Sequence, residues 1–103
     1  MASFKVTPAW DHALTARAME TLAAQATTDE NAMRLFAASK AFGMCALILS
    51  RKMQNQDALY NKLLTEARGL LEDVVAEEEA DNVFQWCEAV VLRMDGNEMS
   101  EGG

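Results

Sequence analysis

Nine consecutive apolar residues, Ala41 to Leu49, sit in a stretch of residue types that favour helix. Nine helical positions make about two and a half turns, so at that level every side of the helix is apolar and has to be surrounded. A small bundle covers a helix on two or three sides and seldom on all. The run therefore predicts burial by neighbours within the chain and by something outside it. It is too short to cross a bilayer, which takes about 20 apolar residues, so no membrane partner is expected. Ala37, Ala41 and Cys45 add a line of small side chains at four-residue steps, on which another helix can approach closely. Gly43 costs this helix about 1 kcal/mol relative to Ala unless such packing compensates.

The rest of the chain repeats the helical theme. Ala, Leu and Met outnumber Val, Ile, Tyr and Thr, and a single Pro with five Gly leaves strand-and-turn folds without their punctuation. The expected fold is all-α: a single-domain bundle of three to four helices at about 8–26, 28–53, 56–78 and 83–94. These form one domain over 1–96, followed by a short, disordered acidic tail over 97–103. Thr7 as N-cap with Pro8 at the first helical position opens the first segment. Thr27 and Glu30, at capping-box spacing, open the second, and Asn55 or Asp57 caps the third. Leu59, Tyr60, Leu63, Leu64, Ala67, Leu70, Leu71 and Val74 share an arc of about 140° on that third helix, enough for two neighbours. The run Ala76 to Asn82 offers no apolar anchor larger than Ala, so a break is expected there, with Asp81 or Asn82 capping the fourth helix and Gly96 stopping it.

Charge is unevenly distributed. From Glu66 to Glu101 eleven acidic residues face two arginines, a net of −9, while residues 1–65 carry seven basic and five acidic, a net of +2. An acidic half repels phosphate backbones, so no direct nucleic-acid partner is expected and a protein with a basic surface is favoured. A secretory leader is lacking at Met1 to Lys5, which points to the cytoplasm. Cys45 and Cys87 lie in apolar stretches and read as two buried thiols, not a disulfide.

The chemistry of catalysis is sparse. His12 is the lone histidine and falls on the polar side of its helix, where it reads as a solvated side chain. No metal-ligand spacing, phosphate loop or dinucleotide fingerprint is present, so no cofactor, no metal and no enzymatic activity are expected. Most aromatic residues, Phe36, Phe42, Phe84 and Tyr60 among them, read as core, while Trp10 and Trp86 are candidates for contact with a partner.

The expected function is therefore a small, acidic interaction protein, an adaptor, chaperone or inhibitor, that forms a homo-oligomer, with a dimer favoured. Its apolar contact residues are read as Phe42, Met44, Leu47, Leu49, Trp86, Val90 and Met94. A second set, Glu72, Asp73, Glu77, Glu78, Glu79 and Asp81, would meet a basic surface. The alternative is an acidic mimic of nucleic acid that occupies the basic groove of a host protein. In composition and class the chain resembles type III secretion chaperones and small phage-encoded inhibitors of host proteins.

Overall fold

The computed structural model describes the backbone of residues 8–102 and the side chains of residues 12–95. Four helices follow in order: α1 (Pro8–Ala23), α2 (Asp29–Ser50), α3 (Asp57–Glu77) and α4 (Asp81–Gly102). Among the described residues there is no strand. The expected all-α bundle is present, with the break between the third and fourth helices. Packing is sequential: α1 lies mainly on α2, α2 on α3, and α3 on α4.

Helix ends differ from the expected ones, each for a local reason. Helix α1 stops at Ala23, three residues short, because the amides of Ala24, Gln25 and Ala26 bond back to the carbonyls of Thr21, Leu22 and Ala23, three residues earlier, and tighten the last turn. Thr28, not Thr27, caps α2: its backbone is extended and its Oγ1 accepts the Asn31 amide at 3.1 Å. The capping box expected from Thr27 and Glu30 is replaced by this single bond. The Thr7 cap expected for α1 lies outside the described residues.

Helix α2 ends at Ser50, before the expected Met53. Lys52 takes a left-handed backbone at φ 51°, its amide reaches Leu49 and the Met53 amide reaches Ile48, so the final carbonyls are closed as in a Schellman turn. Neither Asn55 nor Asp57 caps α3. Asn55 also turns left-handed, at φ 60°, and the cap position falls to Gln56 with no side-chain bond. Helix α4 begins at Asp81, two residues before the expected start, with the Phe84 amide on the Ala80 carbonyl. Its helical backbone continues to Gly102, past the stop expected at Gly96, and the tail expected over 97–103 falls on residues whose side chains lie outside the described set.

The core gathers Ala16, Met19 and Ala23 from α1, Leu35, Ala38, Ala41 and Phe42 from α2, Ala67, Leu71 and Val74 from α3, and Val83 and Cys87 from α4. Met19, Leu35, Leu71, Val74 and Val83 are fully enclosed, and burial of each such side chain contributes about 1.5–3 kcal/mol. Ser39 is buried between α1 and α2 and donates its hydroxyl to the Ala16 carbonyl at 2.8 Å, which fixes the level at which the two helices meet.

Gly69 lies on the exposed side of α3, and a Cβ there would meet nothing within 4 Å. Gly69→Ala should therefore raise stability by about 1 kcal/mol, the difference in helix propensity, as measured by urea unfolding.

Candidate functional site

Two surfaces were expected to act, one apolar and one acidic, and the structure redistributes both. Of the seven apolar contact residues, Met44 and Leu47 are exposed at 47% and 50%. Phe42 is buried in the core and Leu49 is half-buried. Trp86, Val90 and Met94 pack half-buried against the core, so α4 spends most of its apolar face within the chain and leaves Leu92 outside. Trp10 lies outside the residues whose side chains are described.

Met33 and Phe36 are exposed at 71% and 47% and belong with Met44 and Leu47 on the outer side of α2. Phe36 read as core from its residue type alone, and its true position follows from helical phase. Residues 33, 36, 40, 44 and 47 fall within an arc of about 80°, opposite the arc that holds Leu35, Ala38, Phe42 and Cys45. The small-residue line splits between the two sides, with Ala37 exposed and Ala41 and Cys45 buried. By length and composition α2 is apolar enough to pass for a membrane span. Its inner arc, however, is occupied by α1 and α3, and its outer arc carries Lys40.

The acidic set divides as sharply. Glu72, Asp73, Glu77, Glu79 and Asp81 are exposed, but Glu78 is 7% exposed and turned inward. Glu77 pairs with Arg34 at 2.7 Å, and Glu72 with Arg68 at 3.5 Å, while Arg68 also holds Asp95 at 2.9 Å.

Glu78 ties the α3–α4 junction to the α1–α2 junction. Its Oε2 accepts the Thr27 amide at 2.9 Å, the Thr27 hydroxyl, and the Ala80 amide at 3.0 Å. Its Oε1 accepts the Asn31 side-chain amide at 2.9 Å, and fully buried Asn31 in turn accepts Arg34 at 2.8 Å. Burial pushes the Glu78 pKa up, but the bonds from Thr27, Ala80 and Asn31 outweigh it and hold the carboxyl below its ordinary value. A carboxylate so fully engaged has no oxygen to offer a partner, and Glu78 leaves the expected contact set.

His12 is also placed differently from the expectation. It is half-buried, with Nε2 3.0 Å from the Tyr60 hydroxyl and its ring 5.5 Å from Phe42, so it joins α1 to α2 and α3 and is not a solvated side chain. Cys45 and Cys87 are buried free thiols. Burial pushes Cys45 up to about 11. Burial, with the Glu78 charge second, pushes Cys87 up to about 12. Among the described residues no group of three or more His, Cys, Asp or Glu is placed to hold a metal ion.

The chain matches no family model, no curated protein and no solved structure.

Two outcomes follow from these contacts. Glu78→Gln should cost on the order of 2 kcal/mol at neutral pH, since a bond to a charged acceptor is lost and a buried donor is left unmatched. Because the Glu78 pKa is depressed in the folded chain, its contribution is complete above the ordinary Glu value of 4.5 and fades as pH falls through the lower folded value. The stability gap between wild type and Glu78→Gln, followed by chemical denaturation, should thus narrow in acid. Both cysteines should resist a thiol-specific reagent at pH 8 in the native protein and react promptly once denatured; fast native labelling of either would contradict their burial.

Proposed function

We propose that this protein is a small, non-catalytic interaction protein, an adaptor, chaperone or inhibitor, that works by docking the outer face of α2 against another polypeptide. One observation carries the reading: Met33, Phe36, Met44 and Leu47 line one side of a single helix and are about half or more exposed. Scattered exposed apolar residues are ordinary on any surface, but an aligned row of Met, Phe and Leu is the kind of surface that helix-binding partners use. Methionine adds adaptability, because its unbranched thioether fits irregular partner surfaces.

The acidic-mimic reading has less support. Such a decoy needs carboxylates free to replace phosphates, yet Glu78 is consumed inside the fold and Glu77 and Glu72 already face Arg34 and Arg68. Glu66, Asp73, Glu79, Asp81 and Glu88 remain, and exposed acids serve solubility as well as recognition.

A photo-cross-linking residue placed at Met44 tests the docking face, with the same residue at exposed Glu66 as control. The expected result is an adduct to a second polypeptide from position 44 alone, abolished by Leu47→Glu and little affected by added salt, as apolar docking requires. Equal labelling from both positions, or none from either, would remove the basis for this reading.

A further inference from the structure

The outer face of α2 has a property beyond exposure: it is complementary to itself when reversed. Its outward residues run Asp29, Met33, Phe36, Ala37, Lys40, Met44, Leu47, Arg51, with Gly43 at the border. Laid antiparallel on a second α2 with Lys40 at the centre, each residue meets the one whose number completes 80. Met33 then faces Leu47 and Phe36 faces Met44, apolar on apolar. Ala37 and Gly43 come level on opposite borders of the face, and at both ends Asp29 faces Arg51, acid on base.

We propose that a second copy of this chain covers the face, through antiparallel α2–α2 pairing about a twofold axis at Lys40. The proposal rests on the docking reading above and names the partner. The pairing is isologous, the arrangement that closes after two copies. Two observations argue for it. Asp29, Lys40 and Arg51 are exposed and, among the described residues, none of them has an ion-pair partner within the chain, so Asp29 and Arg51 are free to pair between copies. A Cβ at Gly43 would meet nothing within 4 Å, so packing inside one chain gives no reason for glycine in the middle of this helix. Close approach of a second α2 supplies one.

Geometry sets the crossing. At a shallow angle of about 20° the ends of the two helices stay within reach of arginine, whereas at the steeper angle of about 50° they splay apart. The two Lys40 side chains meet at the axis, where their aliphatic stems run in opposite directions along the apolar row and carry the ammonium groups out to water. Repulsion between them weakens the pair. A face of 22 residues is about 33 Å long and about 10 Å wide, well below the roughly 800 Å² per partner of a standard interface. The dimer is accordingly a weak one.

Sedimentation equilibrium of the full chain from about 1 to 500 µM tests this. Wild type should pass from monomer to dimer. Asp29→Arg and Arg51→Asp should each weaken association by about five-fold or more, since each sets like charges opposite each other, and the double variant should return to within about two-fold of wild type. Gly43→Ala should weaken the dimer while leaving the monomer's helix content intact by circular dichroism, and Lys40→Met should tighten it. A wild-type chain that stays monomeric throughout, or a double variant no better than the single ones, would overturn the pairing. If the chain is monomeric while position 44 still cross-links to a different polypeptide, self-pairing fails and the docking reading stands; if neither occurs, both fail.

Discussion

The bond set around Glu78 is the constraint on which the packing depends. Sequential packing of α1 on α2, α2 on α3 and α3 on α4 produces a row of helices, and a row does not by itself enclose a core. Glu78 bends the row by anchoring the α3–α4 junction to Thr27 and Asn31 at the start of α2. Val83 and Cys87 of α4 are enclosed in the same core as Met19 and Ala23 of α1. Stripping water from a carboxylate is costly, and the structure meets that cost with bonds from two backbone amides, a hydroxyl and a side-chain amide. Each charge-assisted bond of about 1.5–3 kcal/mol is comparable in weight to one enclosed leucine.

Helix α2 shows why a chain of this size runs out of cover. It is one of the two inner helices of the row, packed on α1 and α3, and its inner arc buries Leu35, Ala38, Phe42 and Cys45. Two neighbours leave the third side open. The outward row of Met33, Phe36, Met44 and Leu47 is what remains of a segment apolar on all sides. Helix α4 is nearly as apolar in sequence, but there the junction at Glu78 swings it onto the core and leaves chiefly Leu92 outside.

Residue patterning made the elements legible and the junctions obscure. The arc of α3 was readable because Ala67, Leu71 and Val74 recur at helical spacing, and these residues are the ones enclosed. The break after Ala76 was readable because no large apolar side chain bridges it. Caps were less readable. Thr27 and Thr28 are chemically equivalent candidates, and the choice between them was made by Glu78, fifty residues away, which takes Thr27 for itself. The end of α2 gave no glycine signal, since Lys52 and Asn55 adopt the left-handed backbone that glycine would usually mark.

The sequence by itself determined that the chain is helical, where most of each helix lies, and that its apolar side chains exceed what one small core requires. These are local properties, set by propensity and by the 3.6-residue period, and each can be read within a dozen residues. The tertiary structure alone decided which apolar residues stay outside and which acid goes inside. Glu77, Glu78 and Glu79 are identical in type and adjacent in the chain, yet one pairs with an arginine, one is enclosed and one faces water. What separates them is the position of partners from a distant helix end, and burial is a property of that company, not of the residue.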